Sequence, residues 1–173
     1  AHREARTRPE LRHRIEHFEF PAAREVRAVR SLGLSVCMQP NFVGNWSGAG
    51  GLYETSLGRG RDARSNPFRR VLDAGIPLGF GSDGMPLSPL YGIASAVSPP
   101  RLGQRLGLEE AVRAYTEGAA GLSGGLPTAG RLIPGEKADL VVLDRFLCAE
   151  TAAVARVRLT FAGGELVYSA SSA

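Results

Sequence analysis

The sequence predicts an α/β fold, on three observations. Short apolar runs of strand character alternate with segments whose apolar residues recur at helical spacing, the order that builds a parallel sheet with helices outside it. Turn signals separate the two kinds of segment, glycine closing helices and proline closing strands. From Gly124 onward the helical pattern stops, and short β-rich runs form a small closing module.

Taken in order, Ala1 to Pro9 reads as the end of a helix that Pro9 stops, because proline lacks the amide proton. Arg12 to Phe20, RHRIEHFEF, is expected as a short strand leaving His17 near its end, with Ile15, His17 and Glu19 on one side. Pro21 opens a helix with Ala22, Val26, Val29 and Leu32 on one face and Gly33 as its left-handed cap. Leu34 to Gln39 is the next strand, ended by Pro40. Asn41 to Gly60 is too glycine-laden in its first half for a regular element and is expected as a long functional loop. Asn66-Pro67 starts a helix through Phe68, Val71, Leu72 and Ala74, capped by Gly75, and the strand Ile76 to Phe80 leads into the turn Gly81-Ser82-Asp83-Gly84. Helices follow from about Leu90 to Val97 and from Leu108 to Leu122. ADLVVLD, VRLTFAG and ELVYS then form strands joined by tight turns, Gly163-Gly164 being the hairpin signal.

Composition sets the class. A chain of 173 residues suits one ordinary domain of about 100–200 residues, and 43% hydrophobic with 22% charged residues is near the globular average. No run approaches the ~18 apolar residues of a membrane span. The +4 charge does not gather into a basic stripe: arginines are scattered among acids and Lys137 is the only lysine, so no nucleic-acid partner is predicted. Cys37 and Cys148 lie far apart and outside any CxxC pattern, which points to reduced, incidental thiols. The opening stretch AHREARTRPELRHR has no apolar h-region, so no signal peptide is read, the expected location is cytoplasmic, and the chain is expected to begin mid-protein.

In a parallel α/β barrel the active site gathers at the carboxyl ends of the strands. Here three successive strand ends offer an imidazole at His17, an amide at Gln39 and a carboxylate at Asp83. Imidazole nitrogen and carboxylate oxygen suit zinc or a related divalent ion, and such a carboxylate also accepts a water proton.

The order RHRIEH, SVCMQPNF with a downstream Trp, NPFRRVLDAGIPLGFGSD, AVRAYTEGAA, GRLIPGEKADLVVLD and VRLTFAGGELVY resembles the C-terminal part of the amidohydrolase superfamily, more narrowly its family three, from about His13 to Tyr168. The resemblance implies the C-terminal part of a TIM-like (β/α)8 barrel, about strands six to eight, over residues 1–125, followed by a β-sandwich segment over 126–173. It implies that His17 is a metal ligand and that Asp83 both binds metal and shuttles the proton of the attacking water. Gln39, Asn41 and Trp46 would line the substrate mouth, Ser82 and Met85 would flank the metal, and Lys137 is a turn residue without Schiff-base chemistry. The implied cofactor is a divalent metal, zinc first, with one or two ions in an intact enzyme. The implied partner is a small amide-type substrate, with no nucleic acid and no membrane.

The family's HxH pair after the first strand, its bridging ligand near the fourth and its histidine after the fifth have no counterpart here, and His2 and His13 do not replace them. Two readings follow. One is a fragment of a hydrolase for a non-peptide C–N bond, inactive alone, whose missing N-terminal half supplies the other ligands. The other is a catalytically dead binding or assembly partner of a full-length hydrolase. A nucleotide-binding domain is disfavoured because Gly48 to Gly51 neither follows a strand nor has GxGxxG spacing. A part-barrel with an open edge is expected to aggregate, form a homo-oligomer or stay partly molten, and a sharp monomeric two-state melt would contradict that.

Overall fold

A computed structural model describes residues 12–124 and 129–171. The expected opening helix ending at Pro9, His2 and the boundary between residues 125 and 126 lie outside the described residues.

The first unit is a three-stranded parallel sheet in the order β1 (Arg14–Glu16), β2 (Ser35–Met38), β3 (Leu78–Phe80). Helix α1 (Ala23–Ser31) crosses from β1 to β2, and the link from β2 to β3 holds α2 (Pro40–Trp46), α3 (Leu52–Leu57), α4 (Arg59–Asp62) and α5 (Phe68–Asp73). After β3 come α6 (Pro89–Val97), α7 (Leu108–Arg113), a π-helical turn Ala114–Gly118 and α8 (Ala119–Leu122), the last three continuous as the predicted helix over 108–122. One hydrophobic core lies between sheet and helices: Val26 and Val29 of α1, Val36 and Met38 of β2, Phe68 and Val71 of α5, Phe80 of β3 and Ile93 of α6 are all buried.

Several expectations need correction. The first strand stops at Glu16 instead of Phe20, because His17 (φ 70°) and Phe18 (φ 46°) both turn left-handed and break the alternation. The glycine-rich stretch is mostly helical, since Phe42, Val43 and Tyr53 bury apolar surface that outweighs weak helix propensity. Gly44 serves packing there: a Cβ on it would overlap the Ser95 hydroxyl and lie 2.6 Å from the Tyr91 hydroxyl of α6.

The second unit is an antiparallel sheet β4 (Leu140–Leu143), β5 (Val157–Ala162), β6 (Glu165–Ser169). Only the β5–β6 connection is the expected tight turn, with Gly163 and Gly164 left-handed at φ 61° and 87°. The β4–β5 connection is long because it folds on itself: Thr151 Oγ1 accepts from Cys148 N at 2.9 Å and donates to Phe146 O at 2.7 Å, and Ala152 is fully buried against the first unit's core. Lys137 is exposed and pairs with Asp139 at 3.1 Å.

Candidate metal centre

The three parallel strands end side by side, so whatever follows each of them meets at one edge of the sheet. At the end of β1 the His17 amide donates to Cys37 O of β2 at 2.8 Å, which fixes the backbone where the imidazole leaves it. At the end of β2, Gln39 stands immediately before α2, whose first-turn Pro40 fits a helix start. At the end of β3 the Gly81 amide donates to Met38 O at 3.1 Å, and Met85 N closes on Ser82 O at 3.2 Å. That turn holds Asp83 (φ 48°) and Gly84 (φ 78°) left-handed, a conformation for which Asp-Gly is a favoured pair.

His17 Nε2 and Asp83 Oδ2 face each other at 4.0 Å, with both side chains about half exposed (47% and 56%). Gln39 Oε1 lies 2.9 Å from His17 Nδ1, an arrangement satisfied by the Nδ1–H tautomer, which leaves the Nε2 lone pair toward Asp83. Phe42 stacks on the imidazole at 5.9 Å and 12°. The ring is therefore held on its edge and on its face.

Two donors across tetrahedral zinc, each bonded at about 2.0–2.1 Å, stand about 3.3 Å apart, so this pair needs to close by roughly 0.6 Å, within reach of half-exposed side chains. The donor chemistry fits part of a metal centre. It does not complete one, since catalytic zinc ordinarily takes about three protein ligands and no group of three or more His, Cys, Asp and Glu side chains assembles among the described residues. Burial and a hydrogen bond with Glu16 push the pKa of the neighbouring Cys37 thiol up to about 11.

The residues expected around the mouth divide. Gln39 and Asn41 are 3% and 0% exposed, so neither presents surface to a substrate. Asn41 instead donates to Pro86 O at 2.8 Å and Ser88 O at 3.2 Å and accepts from the Tyr115 hydroxyl at 2.6 Å, tying the segment after Asp83 to α2 and the long helix. Trp46 is half-buried, packed on Phe42 (4.4 Å) and Tyr53 (5.7 Å). Ser82 and Met85 flank the Asp83 turn and are partly exposed. Sequence reasoning passed over Phe42 as a support of His17, although it lies inside the quoted QPNF run one helical turn before Trp46.

The model of the amidohydrolase family matches residues 1–168. The chain belongs to the amidohydrolase family. Within the folds akin to this amidohydrolase chain are an uncharacterised metal-dependent hydrolase from Pyrococcus furiosus (26% identity, TM-score 0.62, 73% of this chain and 26% of that one) and another from Pyrococcus horikoshii (24%, TM-score 0.64, 90% and 31%). Atrazine chlorohydrolase from Arthrobacter aurescens, solved with zinc, is 22% identical with TM-score 0.64 over 90% of this chain and 36% of that one. This amidohydrolase chain thus spans about a quarter to a third of the length of those structures. No curated protein matches it. Among the described residues no helix is long and apolar enough to cross a membrane.

Proposed function

We propose that the chain supplies two ligands, His17 and Asp83, to the divalent metal centre of an amidohydrolase that cleaves a non-peptide C–N bond of amide type. The observation that carries this is the facing of His17 Nε2 and Asp83 Oδ2 at 4.0 Å, with Nδ1 engaged by Gln39. In this reading β1–β3 are about strands six to eight of a (β/α)8 barrel whose C-terminal part occupies residues 1–125, β4–β6 belong to a β-sandwich segment over 126–173, and the protein is cytoplasmic.

His17 and Asp83 would hold the cation, zinc for this donor chemistry, which when bound would acidify water and polarise the scissile carbonyl. Asp83 takes the proton of the attacking water as the C–O bond forms, and returns it to the leaving nitrogen as the C–N bond breaks. His17 is kept in one tautomer by Gln39 and in one plane by Phe42. Trp46, Ser82 and Met85 border the substrate, while Gln39 and Asn41 support the site from beneath.

Two ligands alone make the isolated chain inactive, so the ligand role is read by zinc affinity in a chelator competition. Asparagine tolerates left-handed backbone, so His17→Asn and Asp83→Asn isolate the ligands from the fold. Each is expected to weaken zinc binding by more than about tenfold. Unchanged affinity in either variant overturns the assignment. The incomplete donor set among the described residues also favours a second reading, a catalytically dead binding or assembly partner of a full-length hydrolase that docks through β1, beside which Ile15, Phe18, Val29 and Leu34 line an open apolar hollow. Hydrolysis by the chain once joined to a polypeptide bearing the other ligands rejects that reading.

A further inference from the structure

A cavity of about 610 Å³ opens between the start of α1 and the segment α3–α5, away from the facing His17–Asp83 pair. Its lining includes three arginines, Arg61, Arg64 and Arg70, and the apolar side chains of Phe20 and Leu57. Three like charges on one cavity repel one another, and such a cluster is ordinarily quenched by carboxylates nearby. The carboxylates on the same elements are committed elsewhere. Glu54 and the fully buried Asp62 both pair with Arg101, at 3.0 and 2.7 Å, and Asp73 pairs with Arg69 at 3.2 Å. Glu19 accepts from the Tyr53 hydroxyl, and Glu25 accepts from the Ala22 amide at 2.7 Å, which also uses up the capping position of α1. Among the described residues no carboxylate forms an ion pair with Arg61, Arg64 or Arg70.

We propose that this cavity binds a small organic phosphate monoester, its dianionic head held by Arg61, Arg64 and Arg70 and its apolar body laid against Phe20 and Leu57. Guanidinium is suited to the head because its planar fork meets two phosphate oxygens at once. The exposed ring of Phe20 and the side chain of Leu57 give the body a surface that inorganic phosphate cannot use. The cavity does not depend on the metal-site reading, and its test uses no hydrolysis.

The experiment is isothermal titration of the 173-residue chain with phenyl phosphate, inorganic phosphate and benzoate. Phenyl phosphate is expected to bind saturably, at least about tenfold more tightly than either of the other two, and to weaken as salt is raised. Arg61→Ala with Arg64→Ala is expected to weaken it by about tenfold or more. Both residues are exposed, and a circular dichroism spectrum matching the parent's checks that the fold is intact. Arg61→Glu, a second variant, should abolish binding. The proposal is overturned by absence of saturable phenyl phosphate binding, by benzoate binding as tightly, or by binding that survives the double substitution.

Discussion

Gly118 and Gly121 sit three residues apart in the continuous helix behind β3, yet alanine should act oppositely at the two. A Cβ on Gly118 would overlap the carbonyl oxygen of Leu78 in β3 and lie 3.2 Å from its carbonyl carbon and 3.3 Å from Arg113 O. These are backbone atoms, so relief requires the helix to move off the strand. A Cβ on Gly121 meets nothing within 4 Å. Intrinsic helix preference favours alanine by about 0.5–1 kcal/mol at either position, somewhat less near the helix end. Overpacking at Gly118 opposes it by about 1–3 kcal/mol. Gly118→Ala should therefore lose about 1–2 kcal/mol and Gly121→Ala should gain up to about 0.5 kcal/mol, a gap of about 2 kcal/mol or about 4–8 °C in melting temperature. Urea denaturation followed by circular dichroism measures both. Equal stability of the two variants would refute the claim that the π-helical turn is pressed on β3, and so the account of how the strand leading to Asp83 is held.

The Gln39 contact predicts that His17 is mainly the Nδ1–H tautomer, and that Gln39→Leu releases it toward the Nε2–H form common in water; nitrogen-detected NMR of the imidazoles reads this without metal, and an unchanged tautomer would sink the positioning role. Burial tends to raise the pKa of Asp62, but hydrogen bonds from Ser47, Arg101 and the Gly48 amide outweigh it and hold the carboxyl below its ordinary value. A depressed native pKa adds stability in full above the unfolded carboxylate range near ~4 and loses it as pH falls through the native value. Asp62→Asn should cost about 2–3 kcal/mol at neutral pH, part of the buried-pair value because Arg101 keeps Glu54, and should flatten the acid limb of the stability curve; an acid limb as steep as the parent's would exclude Asp62 as its source.

The strand–helix alternation, the parallel order and the meeting of His17, Gln39 and Asp83 at one sheet edge were legible because apolar periodicity and capping signals are local. What escaped was set by tertiary contact. Gly44 looks like a helix breaker in sequence, yet it and Gly92, which lies inside the predicted 90–97 helix, let α2 and α6 approach, with Asn41 and the Tyr115 hydroxyl in the space a Gly92 side chain would need. Asn41, polar and next to the strand end, reads as a mouth residue; its burial follows from carbonyls at Pro86 and Ser88 that lie 45 and 47 residues away. Nothing in RIEHFEF announces two left-handed residues in a row, because their conformation is imposed by the β2 carbonyl that holds His17 and by Asn66, whose amide donates to Glu19 O at 2.6 Å.

That left-handed pair bears on how the protein responds to selection in the laboratory. A histidine at φ 70° followed by phenylalanine at φ 46° holds the backbone where non-glycine residues are disfavoured by about 1–2 kcal/mol each, somewhat less for histidine. Glycine at position 17 releases that strain and discards the imidazole in one step. A library sorted only for soluble expression is thus expected to enrich glycine there, trading the ligand for stability, whereas sorting that also demands zinc retention should keep histidine despite its backbone.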